Sequence, residues 1–188
     1  MRNEGLAVTK YKDHLRATMA LLAHKEPRFI AMGYNCCESG GYAGGMLKDV
    51  PDKQILELPL AERLNSSVAI GMSLGGYIPM LWCERFDFFL LMLDGVVNHA
   101  DKLEALSGGI HRPGIIYVTA IGKRTVPLFS GPTHTQDFTV AVQNMVGFPV
   151  RKLMWGTSII EESERALDRA RKGLSTLLVI DNDLLETA

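Results

Sequence analysis

Two hydrophobic periods alternate along the chain, one typical of strands and one typical of helices. Short apolar runs, several rich in β-branched side chains, predict strands at residues 28–33, 55–58, 78–83, 115–121, 150–155 and 177–180. Between these runs, apolar residues recur at helical spacing, which predicts helices at residues 10–25, 61–74, 87–106, 135–145 and 160–173. The glycine-rich segment 34–45 is predicted to be a loop.

The order of these elements predicts the fold class. Strands alternate with helices along the whole chain, which favours a mainly parallel sheet with helices on both faces, a three-layer α/β/α fold. A chain of 188 residues can bury a sizeable core as one domain, here residues 1–188. Sheets of this kind bind ligands beyond the carboxyl ends of their strands, so we expect functional residues directly after strands.

Composition and charge narrow the classes of function. The chain is 47% hydrophobic with a net charge of -1, so it has no basic excess to suggest nucleic-acid binding. Its longest apolar stretch, residues 86–97, is interrupted by Asp87 and Asp94 and is too short to cross a bilayer. The first residues lack the apolar core of a signal peptide. Three cysteines without zinc-site spacing, with Cys36 and Cys37 adjacent, predict reduced thiols in a cytoplasmic protein.

Two titratable residues follow predicted strands. Glu62 opens a predicted helix, where an acid is favourable to the helix dipole, and taken alone it indicates no more than that. His134 lies directly before Thr135, a predicted helix N-cap. A histidine beside a helix N-terminus could donate to or accept from a substrate oxygen, whereas an isolated histidine here is read as a surface-loop residue.

Small and aromatic residues leave two further alternatives open. Ser67, Gly71 and Gly75 are four apart and share one helix face, which permits close helix packing either inside the domain or between subunits. The phenylalanines at positions 86, 88 and 89 are core residues by default, but one at a strand end could stack on a flat heterocycle.

These segments together resemble one family over nearly the whole chain. Residues 59–79 are similar to the signature helix of the pyrimidine-binding domain of thiamine-diphosphate enzymes, as found in transketolases and in the β subunits of 2-oxo-acid dehydrogenases. Residues 86–109 continue the match without a gap. The sequence Gly-Pro-Thr-His-Thr-Gln at 131–136 resembles the transketolase form of the next motif, and residues 181–185 match the end of the domain. The resemblance implies the thiamine-diphosphate-binding fold.

The resemblance also implies roles for individual residues. Glu62 matches the catalytic glutamate, whose carboxylate hydrogen-bonds a ring nitrogen of the cofactor's aminopyrimidine and thereby promotes proton removal from the thiazolium carbon. Phe88 matches the aromatic residue that packs on the pyrimidine, and Glu84 and Phe86 would flank that pocket. His134 matches the histidine that faces substrate and assists proton transfer or oxyanion stabilisation.

The chain departs from the family pattern at several places. Gly33-Tyr-Asn-Cys-Cys stands where dehydrogenase β subunits carry Gly-Glu-Asp, and Arg85 stands where a more neutral residue is usual. Arg63-Leu-Asn replaces the small or apolar residues usual after the glutamate. The second histidine-bearing motif that transketolases place after the strand at 115–121 is missing, so the resemblance does not imply a sugar-phosphate substrate.

The largest departure concerns the cofactor's diphosphate. The sequence contains no Gly-Asp-Gly, the start of the motif that holds magnesium and the diphosphate in this superfamily. The resemblance therefore implies that a separate diphosphate-binding subunit holds Mg²⁺, and that this chain contributes no metal ligand. It also implies a heterotetramer around a homodimer core, with the face at Ser67, Gly71 and Gly75 as the candidate contact. The diphosphate-binding domain and the C-terminal transketolase-type domain are expected to be absent from this chain.

Three functions remain open at this point. The Gly-Pro-Thr-His sequence favours ketol transfer between small carbonyl compounds, as in transketolase, with activity only in the presence of the partner chain. The alternative within enzymes is a β-subunit-like component of a 2-oxo-acid decarboxylase or dehydrogenase. A non-catalytic scaffold that keeps the fold is the third possibility, and it gives no physical reason for keeping Glu62, Phe88 and His134 together.

Overall fold

One sheet of six strands organises the chain, in a computed structural model that describes residues 10–37, 41–124, 131–185 and 187. The strands are β1 (Phe29–Gly33), β2 (Ile55–Glu57), β3 (Ile78–Cys83), β4 (Ile116–Ile121), β5 (Val150–Leu153) and β6 (Thr176–Asp181). They lie in the order β2-β1-β3-β4-β6-β5, and every neighbouring pair is parallel. All six predicted strands are therefore present.

Helices cover both faces of this sheet. They are α1 (Tyr11–Lys25), α2 (Tyr42–Leu47), α3 (Glu62–Leu74), α4 (Phe86–Phe89), α5 (Leu103–Leu106), α6 (Thr139–Met145) and α7 (Gly156–Ala170). Residues of α1, α2 and α7 form one apolar core with the sheet, and residues of α3, α4 and α6 form a second core on the opposite face. The predicted three-layer α/β/α fold is confirmed.

The central strands explain why the sequence shows continuous apolar runs. Every residue of β3, β4 and β6 is buried, because successive side chains enter opposite cores: Tyr117 packs with α4, and Val118 packs on the other face. Within the described ranges, no helix is long and apolar enough to cross a membrane.

The predicted loop at 34–45 is wrong in its last four residues. Helix α2 begins at Tyr42, although two of its six residues are glycines with poor helix propensity. Ala43 and Leu47 are fully buried in the core beside α1, and this burial stabilises the helix.

The predicted continuous helix at 87–106 is also wrong. After α4, the chain forms a 3₁₀ turn at Leu90–Met92, a π-helix at Asp94–Ala100 and then α5. In the π-helix Gly95 lies against α3, where an added Cβ would come within 2.2 Å of the Ser66 hydroxyl oxygen. Apolar spacing predicted the buried face but not the change of hydrogen-bond register within it.

The helix predicted at 135–145 begins later than expected, at Thr139. Asp137 accepts hydrogen bonds from the backbone nitrogen (3.0 Å) and the hydroxyl (2.5 Å) of Thr139, so Thr135 is not the N-cap. His134 ends a separate 3₁₀ turn, Gly131–His134, and the prediction that it lies at the N-terminus of α6 is wrong. Helix α7, in contrast, begins earlier than predicted, at Gly156 rather than at residue 160.

A buried carboxylate joins the ends of α1 and α7. Glu26, only 5% exposed, accepts hydrogen bonds at 2.9 Å from the Nε atoms of both Arg28 and Arg171. The bonds from Arg28, and then those from Arg171, outweigh the effect of burial and lower the pKa of Glu26 from 4.5 to about 2. The folded state therefore stabilises the ionised Glu26 carboxylate more than the unfolded state does.

The lowered pKa of Glu26 predicts that the folded protein loses stability in acid. Because the folded-state pKa lies below the unfolded value, the stabilisation is complete above pH 4.5 and is lost as the pH falls toward about 2. Glu26→Gln is expected to lower the free energy of unfolding at pH 7 by about 1–2 kcal/mol. It should also flatten the decline between pH 4.5 and 3 in urea titrations. Glu161→Gln, at an exposed position, is the control, and an unaltered acid decline in Glu26→Gln would contradict the assignment.

Candidate functional site

A cavity of about 130 Å³ lies at the carboxyl ends of β1 and β3, the edge where a parallel sheet is expected to bind ligands. It is lined by Tyr34, Leu60, Glu62, Asn65, Trp82, Cys83, Glu84, Phe88 and Met92. Three of the residues predicted from the sequence, Glu62, Glu84 and Phe88, therefore meet in one site.

Glu62 is the first residue of α3, and the turn that precedes it is fixed by hydrogen bonds. The Nδ2 atom of Asn65 donates to the carbonyl of Pro59 at 3.0 Å, and the Asn65 backbone nitrogen donates to Ala61 at 2.9 Å. Glu62 also borders an open groove along α3 that contains Leu64 and Leu91. Its carboxylate thus lies where the cavity meets an exposed helix face.

His134 reaches the cavity through its contact with Phe88. The two rings meet edge to face, with their centroids 5.0 Å apart. The neighbouring residues tie the two segments together, because the Asp87 carboxylate accepts a hydrogen bond from Gln136 Nε2 at 2.6 Å. The structure therefore places the predicted histidine against Phe88, a residue of the cavity lining, although the histidine lies on a 3₁₀ turn.

The Asp87–Gln136 contact predicts an effect on His134. Asp87→Ala removes the acceptor for Gln136, so the turn should move away from Phe88. We expect the His134 ring-proton resonance to lose its ring-current shift and stability to fall by about 1–2 kcal/mol. Asp87→Asn keeps one acceptor oxygen, so it should retain most of the ring-current shift of His134 and most of the stability. An unchanged His134 resonance in Asp87→Ala would contradict this positioning role.

Phe86 does not flank the cavity as predicted. Its side chain is fully buried and packs edge to face against Phe89 and Phe138, with centroid distances of 5.8 Å. It is a core residue between α4 and the segment before α6. The correction follows from helical geometry, since residues 86 and 88 of one short helix face different directions.

Buried polar atoms without partners concentrate at this end of the sheet. Within the described part of the chain, seven buried side-chain nitrogen or oxygen atoms have no hydrogen-bond partner. Four lie at the start of α3 or at the end of β3: Asn65 Oδ1, Trp82 Nε1, Glu84 Oε1 and Arg85 Nε. The Trp82 indole belongs to the core shared with α1 and α2, whereas Asn65 and Glu84 line the cavity. Buried polar groups are normally paired, so this concentration indicates a site built for a polar ligand.

Sequence reasoning missed Asn65 and Trp82. Asn65 follows Glu62 by three residues, a spacing that places both on one side of a helix, so the pattern alone could have indicated it. Trp82 sits in a continuous apolar strand and carried no such signal.

Cys83 also lines the cavity, but its environment keeps the thiol protonated. Burial, followed by the negative charges of Glu62 and Glu84, raises the pKa of Cys83 to about 12. A thiolate nucleophile is therefore not available at neutral pH. Across the described residues, no three His, Cys, Asp or Glu side chains are grouped as metal ligands.

The small-residue face of α3 is exposed. Ser67, Gly71 and Gly75 all face solvent, and a Cβ added at Gly71 would meet nothing within 4 Å. Close helix packing inside the domain uses Ser66 and Gly95 instead. The face of Ser67, Gly71 and Gly75 is therefore not used for packing within the domain. Leu64, at 53% exposure, lies beside it.

Comparison with known proteins identifies sequences similar to this chain. The chain is 24% identical over 187 residues to the pyruvate dehydrogenase E1 component subunit beta of Chaetomium thermophilum, covering 97% of this chain and 47% of that subunit. It is 24% identical over 141 residues to the human subunit, covering 75% of this chain and 37% of that protein. The resemblance predicted from the sequence is confirmed. No protein-family model matches the chain.

A solved structure supports the fold independently of the sequence. A split-gene transketolase, described as an inactive β4 tetramer, superposes with a TM-score of 0.68 over 90% of this chain and 50% of that one, at 11% identity. The chain has the transketolase-like fold. It spans less than half the length of the curated relatives it matches.

Proposed function

We propose that this chain is the pyrimidine-binding subunit of a thiamine-diphosphate enzyme. The observation that carries the proposal is the cavity at the carboxyl ends of the strands, where Glu62, Glu84 and Phe88 meet and where His134 contacts Phe88. These are the residue types that the resemblance requires, and the fold brings them together from three separate segments of the chain.

The lining of the cavity fits an aminopyrimidine. Phe88 offers an aromatic face for the ring, and the Glu62 carboxylate can bond a ring nitrogen. Two unpartnered buried oxygens, on the lining residues Asn65 and Glu84, supply acceptors. When bound, the cofactor supplies the nucleophilic carbon that attacks a substrate carbonyl.

The chain's own residues would then have separate tasks. Glu62 holds a proton at the ring nitrogen. Its carboxyl group is positioned for this because Glu62 is the first residue of α3, and the bond from Asn65 to Pro59 fixes the turn before that helix. His134 Nδ1 lies 3.2 Å from the Thr133 hydroxyl, so we assign Nε2 to the substrate oxygen. Phe88 fixes the plane of the imidazole through the edge-to-face contact.

We propose further that a separate subunit binds the diphosphate and Mg²⁺. Two observations support this: the sequence contains no Gly-Asp-Gly, and Glu62 borders an exposed apolar groove with Leu64 and Leu91, where another chain could complete the site. A homodimer built on the α3 face, within a heterotetramer, is consistent with the exposure of Ser67 and Gly71.

Ketol transfer is the reaction we propose, on the basis of the Gly-Pro-Thr-His sequence. The sequence relatives favour 2-oxo-acid decarboxylation as the second candidate. Incubating the chain with a diphosphate-binding subunit, thiamine diphosphate, Mg²⁺ and either a ketose with an aldehyde acceptor or a 2-oxo acid separates the two. A new ketose supports the first candidate, and release of CO₂ supports the second. Cofactor binding with neither product would favour a scaffold.

A further inference from the structure

Asn65 occupies an unusual position for an amide side chain. The residue is only 2% exposed, one turn after Glu62, and it lines the same cavity. Its Nδ2 atom donates to the Pro59 carbonyl, and this bond fixes the amide orientation, because the opposite orientation would set two oxygens against each other. Its Oδ1 atom is buried and has no partner among the described residues.

One other side chain of the cavity shares this property. Glu84 Oε1, which can accept, is also buried without a partner in the described ranges. Each such atom costs about 1–3 kcal/mol when it stays unpaired. A ligand that offers N–H donors would remove this cost at Asn65 and Glu84.

We propose that Asn65 is a ligand-binding residue of the cavity and that its Oδ1 atom accepts a hydrogen bond from an N–H group of the aminopyrimidine. The inference rests on the proposed function and extends it. The resemblance assigns no role here, because small or apolar residues are usual after the glutamate. Asn65 thereby selects for a ring that carries an amino group over one that carries a carbonyl in its place.

Backbone amide signals allow a direct test without enzyme turnover. In a ¹H–¹⁵N NMR spectrum, the amides of Cys83 and Phe88 report on the cavity, and the Trp155 indole, which is 58% exposed, serves as the internal reference. Thiamine and its 4-oxo analogue are the probes, titrated to millimolar concentration. We expect thiamine to shift these amide signals with about tenfold tighter binding than the analogue, as one hydrogen bond allows.

Variants of Asn65 identify the atom responsible. Asn65→Leu and Asn65→Ala remove the acceptor and should bring the two probes to within about twofold of each other. Asn65→Asp loses the bond to Pro59 but keeps an acceptor oxygen, so the preference should persist. The matched control, Asn144→Leu on an exposed position of α6, should behave like the unaltered chain.

The outcomes separate this inference from the proposed function. If thiamine at millimolar concentration leaves the Cys83 and Phe88 amide signals of the unaltered chain unchanged, the inference about Asn65 falls, whereas the proposed function is tested by binding to the mixture with a diphosphate-binding subunit. If thiamine binds but Asn65→Ala keeps the tenfold preference, only the role of Asn65 is overturned. If Asn65→Asp also loses the preference for thiamine, the preference depends on the bond from Asn65 to Pro59, and the proposed role of the Asn65 Oδ1 atom is overturned.

Discussion

Glu62→Gln should lower turnover by about 10² to 10⁴-fold in the assembled enzyme, the usual contribution of a positioned acid–base group. The amide keeps the size of the carboxyl but cannot hold or release a proton at the ring nitrogen. Glu62 lies at the junction of the cavity and the exposed groove of α3, so its loss should leave the fold unchanged. Assembly should persist because the substitution preserves volume.

The measurement for this prediction needs no known substrate. Exchange of the thiazolium C2 proton for deuterium, followed by NMR in the presence of the partner subunit, should slow in Glu62→Gln. Glu161→Gln, on the exposed surface of α7, provides the same chemical change away from the cavity and should exchange at the normal rate. Equal exchange rates in the unaltered chain and in Glu62→Gln would favour a scaffold that merely retains the fold.

Gly122→Ala is expected to destabilise the chain by about 1–3 kcal/mol, the range for overpacking a well-packed region. Gly122 follows β4, and an added Cβ would lie 1.8 Å from the carbonyl oxygen of His134, which belongs to the backbone and cannot rotate away. The turn that carries His134 would have to move. The edge-to-face contact with Phe88 should then be lost, along with stability.

Gly71→Ala is the matched control for Gly122→Ala. It makes the same substitution inside α3, where the added Cβ meets nothing within 4 Å. In the isolated chain it should therefore stabilise by about 0.5–1 kcal/mol, through the better helix propensity of alanine. Urea unfolding of both variants checks the pair, and a stability loss of equal size at the two positions would contradict the steric explanation.

The strands and the fold class followed from the sequence because burial is nearly uniform in the central strands. A run such as β4 can be neither a solvent-facing strand nor a polar loop. The helical segments were harder to predict. The break after α4 depends on the contact of Gly95 with Ser66, which lies 29 positions away in the chain and has no local signal. Helix α2 likewise depends on tertiary burial that overrides propensity.

The residues of the candidate site also differ in how far the sequence could indicate them. Glu62 and Phe88 were predictable because the resemblance rests on contiguous segments that the structure keeps intact. Phe86 was misassigned because strand-end position alone does not determine which way a side chain faces on the following helix. Asn65 and Trp82 were missed because an orphaned hydrogen-bonding atom becomes visible only once the surrounding groups are in place.

Calorimetric titration of thiamine diphosphate with Mg²⁺ tests the central claim, that this chain forms half of a divided cofactor site. At micromolar protein, we expect no detectable binding to the chain alone and saturable binding to its mixture with a diphosphate-binding subunit, reduced in the mixture that carries Asn65→Ala. Tight binding to the chain alone would contradict the divided site, because the diphosphate and the metal would then be held by residues of this chain.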